Sequence, residues 1–468
     1  MATLIEQHPL YDTLPVGQDV IFTVSNTSVV SSYTNVKFIA EVHISSTFAP
    51  NLSTNTDVVG TFKTTPNNAG VGMFDFRPII ESFVNADNLA RQGSAYKLVV
   101  NTSDTNVPLH LIDKFSGNVN SMRYLAIQFK VEYIDAAGDL VSGFAKNSAD
   151  YQLLNGYLKY TDVLDLVVND FGYNLNSFNL NGSSKSFLTN APTTQYANLE
   201  DYGTVGLWMV NGYGSFNVNG TVLIEIKYYG SDGVFISYEE LYHSTANGGF
   251  DSYNGYIGTN LLFFGCFPAN LQGSSTMFQN LVSAGTIQGG HYELVVQNDS
   301  GQLMSSIYTV KLNCPTLKGF EPIRLTWLNQ WGTWDYYTFT MKSSKTISTQ
   351  GSTYQQLAGS WNQSAYRLDS FKGGKKSFRV NATEKITMNT DFVSESESEW
   401  FEELINSPEV YILKGYEDVV ETSAALNQYV IPVRLTTSNY TKKTVANDKL
   451  MQYTFEVEKS KTLRTQAV

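Results

Sequence analysis

Apolar and polar residues alternate along much of this chain at the period of two that places every second side chain on one face of a β-strand. From Val36 to Ile44, the residues Val36, Phe38, Ala40, Val42 and Ile44 share one face and Lys37, Glu41 and His43 the other, which predicts a strand with one wet face. Asp19 to Val24, Val58 to Lys63, Tyr96 to Val100 and Leu125 to Tyr133 read the same way, with turn signals between them at sandwich spacing. A short helix interrupts the series at Pro78 to Val84, where the fixed φ of proline suits a first helical turn. These elements predict a β-sandwich over residues 1–190.

One device then recurs, a strand, a turn containing Gly and a returning strand. Phe129 to Tyr133 turns at Asp135-Ala136-Ala137-Gly138, Ile224 to Tyr228 at Ser231-Asp232-Gly233, and Tyr292 to Val296 at Asn298-Asp299-Ser300-Gly301. Asp and Asn bond their own backbone and Gly supplies positive φ, the two requirements of a tight hairpin. None of these turns has the acidic spacing of a calcium loop. A second sandwich, immunoglobulin-like or similar, is predicted over 191–315.

From Pro315 the pattern changes. Trp327, Trp331, Trp334, Tyr336 and Tyr337 crowd one short segment, and Ser396-Glu397-Ser398-Glu399 has the form of a helix capping box followed by Trp400, Phe401, Leu404 and Ile405 at helical spacing. Asn406-Ser407-Pro408 ends that helix. Strands are expected at Val410 to Leu413, Tyr429 to Leu435 and Met451 to Glu458, and Lys459 to Val468 as a mobile or partner-bound tail. Residues 316–468 thus read as a small α+β module. The fold class is mainly β, multi-domain antiparallel β-sandwiches with this module at the C-terminal end.

Composition supports that reading. The chain has 29 Tyr, 27 Phe and 35 Gly in 468 residues and only 16% charged residues, against about 25% in an average globular protein. Net charge is −12. Residues 1–315 hold 13 basic and 26 acidic residues, and 316–468 hold 18 and 17, so the acidity lies in front. With no basic face, nucleic acid is not an expected partner. The nearest approach to a patch, Lys372-Gly373-Gly374-Lys375-Lys376 with Arg379, reads as a solvated hairpin turn. The first residues carry no signal-peptide pattern and no run is long enough to span a membrane, so synthesis in a cytoplasm is expected.

Chemistry is thinly represented. Cys266 and Cys314 are expected as buried free thiols, and the five histidines have no metal-ligand spacing, so no metal or cofactor is expected. No nucleophile elbow, phosphate loop or dinucleotide fingerprint occurs. Glu239-Glu240, or Asp299 with a neighbour, are carboxylate pairs of the kind a glycosidase uses, but 43 acidic residues guarantee such pairs by chance. No catalytic residue is assigned and the chain is read as a non-enzyme. The tryptophan segment is the sharpest feature. It reads first as core or module junction, then as a protein interface, then as a glycan-stacking platform.

Trp327 to Phe339 resembles an Asn-x-x-Gly-x-x-Asp-Tyr-Tyr-x-Phe signature found in virion structural proteins of tailed bacteriophages, especially those of marine bacteria and Bacteroidetes. Gly70 to Glu81, Phe187 to Asn190, and Ser407 to Ile412 leading to Ile431 to Leu435 fit the same pattern. The resemblance implies a tail or baseplate protein present in several copies, assembled in the host cytoplasm with other virion proteins as partners and homo-oligomerisation expected. The alternatives it leaves are a receptor- or glycan-binding adhesin that recognises host surface glycan, and a polysaccharide depolymerase.

Overall fold

The computed structural model describes residues 2–53, 56–90, 107–168, 170–180, 185–208, 222–243, 261–297, 301–313, 319–361, 364–414, 429–437, 439–441 and 451–463. The strand expected at Tyr96 to Val100 lies outside them, as do Cys314 and Asp299. The chain is mainly β and divides into two compact units. One comprises Met1–Pro315 with Leu328–Asp335; the other comprises Thr316–Trp327, Tyr336–Lys414 and Gln428–Val468. Residues 1–190 and 191–315, separated in the sequence reading, both fall in the first unit.

In the first unit, the strands Leu4–Gln7, Ile21–Ser25 and Val71–Asp75 form a three-stranded sheet. A larger sheet runs Thr13–Pro15, Tyr151–Leu154, Met122–Ile134, Thr34–Ser45, Val58–Thr64, with Leu140–Asn147 also paired to Met122–Ile134. The inward alternation of Phe22 and Val24, of Phe38, Ala40 and Val42, and of Leu125, Ile127, Phe129 and Val131 builds one continuous core. Phe22 sits at its centre, 5.6 Å from Phe76 and from Tyr151 and 5.7 Å from Phe129. The Thr34–Ser45 strand departs from expectation on its other face. Ile39 and His43 are buried there too, so that face is wet at Lys37 and only partly at Glu41, which pairs with Lys130 at 2.8 Å.

A second pair of sheets completes this unit. Thr194–Ala197, Tyr308–Leu312, His291–Gln297, Val222–Tyr229 and Phe235–His243 form one, and Thr204–Trp208, Leu261–Gly265 and Phe115–Gly117 the other. The latter takes strands from both sides of position 190. Two edge pairs are parallel, Thr13–Pro15 with Tyr151–Leu154 and Thr194–Ala197 with Tyr308–Leu312, so the antiparallel rule holds inside the sheets but not at these edges. Two of the expected turns form as the residues dictate. Asp135 Oδ1 accepts from the Ala137 and Asp139 amides with Gly138 at φ 89°, and Asp232 Oδ1 accepts from Val234 with Gly233 at φ 76°.

The second unit is a seven-stranded sheet ordered Trp334–Phe339, Ile323–Leu328, Val410–Leu413, Val430–Leu435, Thr454–Lys459, Gly374–Asn389, Ser344–Gln356. The helix Glu395–Asn406 covers it with Trp400, Phe401 and Leu404. Trp400 lies 4.9 Å from Trp327, and Phe401 5.4 Å from Phe455. The capping box forms two residues earlier than expected, with Ser394 as cap and Glu397 as its reciprocal partner. The expected tail is not wholly free, since Leu463 pairs by backbone with Ala382; residues 464–468 lie outside the described residues.

Candidate functional site

The five aromatic residues singled out in the sequence do not form a surface. Trp327, Trp331, Trp334 and Tyr336 are buried and Tyr337 is half-buried. They also part company. Trp327 packs under the helix of the second unit, and Tyr337 lies 4.9 Å from Phe401. Trp331 packs against Phe178 with ring centroids 4.2 Å apart and donates to Asn190 Oδ1, and Trp334 donates to the Asp87 carbonyl oxygen at 2.9 Å, both inside the first unit. Asp87 itself grips the loop before Met122. Its carboxylate accepts from the Val119, Asn120 and Ser121 amides and the Ser121 hydroxyl, and burial raises its pKa against the pull of those bonds. Neither a protein-docking face nor a glycan platform is available on these tryptophans.

The spacing Asn-x-x-Gly-x-x-Asp has a local cause. Asn329 Oδ1 accepts from the Trp331 and Thr333 amides, while Asn329 Nδ2 donates to the Leu188 carbonyl, to Thr333 Oγ1 and to Asp335 Oδ1, each at 3.0 Å. Gly332 stands at φ 78°, and a Cβ there would lie 2.0 Å from the Asn155 carbonyl oxygen. Thr189 donates to Asp335 at 2.6 Å. Two separate sequence motifs, Phe187 to Asn190 and Trp327 to Phe339, thus interlock as one buried turn, and their residue types answer to folding rather than chemistry.

The other sequence candidates also resolve into structure. Glu239 and Glu240 are consecutive strand residues, so they point to opposite faces and cannot flank one scissile bond. Glu239 instead accepts from Tyr228 and from Ser275, the cap of the helix Thr276–Ser283; burial first, and then the Glu239 charge, push the Tyr228 phenol up. Cys266 is a buried free thiol. Among the described residues no three or more His, Cys, Asp or Glu side chains are placed to share a metal ion, and no helix is long and apolar enough to cross a membrane.

What does stand out on the surface is a ribbon of which only the basic turn around Lys372 to Arg379 is visible in the sequence. Ser344–Gln356 and Gly374–Asn389 pair along their lengths, but Gly374–Asn389 is joined to Thr454–Lys459 only through Lys385–Asn389. Beyond the bridge at Ala382, the pairs Gln350↔Asn381 to Gln356↔Gly374 have no further strand on either side among the described residues. At roughly 3.3 Å per residue this is an arm about 20 Å long before its tip. The tip is a second small ribbon, Gly359–Ser360 with Arg367–Leu368.

The arm is apolar and basic at once. Leu357, Trp361, Leu368 and Phe371 are 72–78% exposed, and Phe378 and Tyr366 are exposed as well. From Gln350 to Asn381 the charged residues are Arg367, Lys372, Lys375, Lys376 and Arg379 against Asp369 alone, a net +4 on a chain of −12. A polar knot shapes the tip: Ser360 donates to Asp369 at 2.5 Å, Lys372 sits 3.3 Å from the same carboxylate and bonds the Ser360 hydroxyl, and its ammonium lies 5.5 Å over the Phe371 ring. The Ser360 hydrogen bond, then Lys372, hold the Asp369 carboxyl below its ordinary pKa. The turn falls earlier than expected, at Asp369 to Lys372, where the Lys372 amide donates to the Asp369 carbonyl at 3.0 Å; Gly373 and Gly374 follow at positive φ, and Gly374, Lys375 and Lys376 already belong to the next strand. The arm offers contact area and positive charge.

No protein-family profile and no curated protein matches the chain. Among solved structures, it aligns over 97% of its length with 23% of trypsin-activated alpha-2-macroglobulin from Escherichia coli, at 8% identity and a TM-score of 0.18. It aligns over 82% of its length with 22% of the native E. coli protein, again at 8% identity and 0.18, and over 99% with 30% of a Salmonella alpha-2-macroglobulin mutant at 6% and 0.17. The chain spans less than a third of each of these proteins. TM-scores this low define no common fold.

Proposed function

We propose that this chain is a structural subunit rather than an enzyme, that it works by docking its basic, aromatic arm onto a protein partner, and that its setting is the tail or baseplate of a bacteriophage virion. The observation that carries the docking role is the tip itself, where four large apolar side chains stand in solvent on an open ribbon. Exposed apolar area of this kind marks surfaces that are covered in use. Aromatic and guanidinium groups side by side are also the residue types that dominate interface energetics. The virion setting is supported by the resemblance of the Trp327 to Phe339 segment and its companions to tailed-phage virion proteins.

The test is replacement of Leu357 to Phe371 by a two-residue Asn-Gly turn, which suits a hairpin. The shortened chain is expected to keep the circular dichroism and Tm of the parent but to be missing from purified particles when antibodies against the chain are used to label them. Normal incorporation of the armless chain would sink the docking role, and failure of the parent chain to label particles would sink the virion setting.

A further inference from the structure

The first unit carries a second unusual ribbon. Leu164–Val167 and Asp170–Tyr173 pair antiparallel as an isolated two-stranded sheet, with Val167 opposite Asp170. A strand with one wet face exposes alternate residues, yet Leu166, Val167 and Val168 are all exposed, Val168 at 96%. Three consecutive exposed apolar residues at a ribbon tip leave both of its faces sticky. Acidic groups accompany them in the chain. Asp162, Asp165 and Asp170, all half-buried, lie within the same stretch, with Lys159 the single cation in sequence between Tyr157 and Tyr173, and Asp162 accepts from Gln330 Nε2 at 3.2 Å. Asp165 accepts from Tyr11 and from Asn174 Nδ2 at 2.9 Å, bonds that favour its charged form.

We infer that the arm of one copy docks on the Asp162 to Asp170 ribbon of a second copy. The inference rests on the docking role proposed above and names its partner. The two tips are complementary in both respects that decide a contact: Trp361, Leu368 and Phe371 are matched by Leu166, Val167 and Val168, and Arg367, Lys375, Lys376 and Arg379 by the three aspartates. A chain of −12 repels its own copies in general. The arm, at +4, is the part of it that a second copy attracts. Because arm and ribbon are different surfaces, the contact is heterologous: a row of any length keeps one free arm at one end and one free ribbon at the other, so assembly grows into a ring or a filament rather than stopping at a twofold dimer.

The experiment is mass photometry and sedimentation velocity on the full chain and two variants. One carries Trp361→Ser, Leu368→Ser and Phe371→Ser, the other Leu166→Ser and Val168→Ser. All five side chains are exposed, so Tm is expected to stay at the parent value and to certify the fold. The parent is expected to form species larger than dimers, and each variant alone to remain monomeric. Mixed one to one, the variants are expected to form heterodimers and nothing larger, because one intact arm then meets one intact ribbon. A parent that stays monomeric up to roughly 100 µM, a mixture that stays monomeric, or a ribbon variant that associates as the parent does would each overturn the inference. The last outcome, combined with normal entry into particles, would leave the docking role standing with a different partner. An arm variant that enters particles normally would instead remove the docking role itself.

Discussion

Asn329 carries more of the local structure than any other side chain described, with two amides bonded to its oxygen and three acceptors served by its nitrogen. Truncating it leaves the buried Trp331 and Thr333 amides without the oxygen they donate to, and such groups cost about 1–3 kcal/mol each when unpaired. Asn329→Ala is therefore expected to lower the stability of the first unit by about 2–4 kcal/mol in urea unfolding. Gly332→Ala is expected to be at least as damaging, because positive φ and a 2.0 Å approach to the Asn155 carbonyl leave no room for a methyl group. A pH prediction belongs to Asp369. Its folded pKa lies below the unfolded value of about 4, so the contribution of the Ser360–Asp369–Lys372 knot is complete above that value and is lost as pH falls through the folded pKa. The fluorescence of Trp361, taken as the difference between the parent chain and Trp361→Phe, should be flat from about pH 8 to 5 and change only below about 4. Ser360→Ala should move that change to higher pH. These residues show why the site was only half legible: Asn, Gly, Thr and Asp at fixed spacing are visible in sequence, but the partners that give them a purpose, Leu188 and Asn155, lie more than a hundred positions away.

At the scale of elements, the Glu395–Asn406 helix shows what sequence pattern decides and what it leaves open. Its apolar face was readable from Trp400, Phe401 and Leu404, and those residues are buried. Its start was not, because Ser-x-x-Glu occurs twice, at Ser394 and at Ser396. The choice is made from outside the helix. Val393 exchanges backbone hydrogen bonds with Met451 at 2.8 and 3.0 Å, which holds the chain extended up to that point and makes Ser394 the first residue free to cap. Ser394→Ala is accordingly expected to cost about 1 kcal/mol and Ser396→Ala less than about 0.5, measured by chemical denaturation of the full chain. The reverse order would restore the later cap. The helices Thr27–Ser32, Pro268–Ser274 and Thr276–Ser283 escaped notice for a related reason. Asn26 and Ser275 cap two of them, but in a chain this rich in Asn, Ser and Thr a capping residue is no signal by itself. Thr34–Ser45 and Met122–Ile134 were legible in large part because alternation over many residues is hard to produce by accident, whereas Ser344–Gln356 and Gly374–Asn389, as long or longer, were not, since most of their residues on both faces are exposed.

At the scale of the whole molecule, averaging hid the arm except for its basic turn at Lys372 to Arg379. Residues 316–468 sum to +1, which looks neutral, yet that figure combines +4 on Gln350 to Asn381 with −3 on the remainder. Its apolar residues were equally inconspicuous, since Leu357, Trp361, Leu368 and Phe371 follow neither a period of two nor one of 3.6, and periodicity is the signal by which buried faces are found. Exposure, not pattern, identifies them. The same charge distribution predicts how association responds to salt. If copies met through apolar surface alone, added salt would leave association unchanged or strengthen it. Contact between a +4 arm and the acidic ribbon is instead screened once the Debye length falls from about 14 Å to a few ångströms, between roughly 0.05 and 0.5 M salt. The apparent Kd of the parent chain should weaken about ten-fold over that range, measured by sedimentation equilibrium. With Lys375→Glu and Lys376→Glu in the arm, association at low salt should weaken and the salt dependence should flatten, because the attraction that salt removes is then already gone.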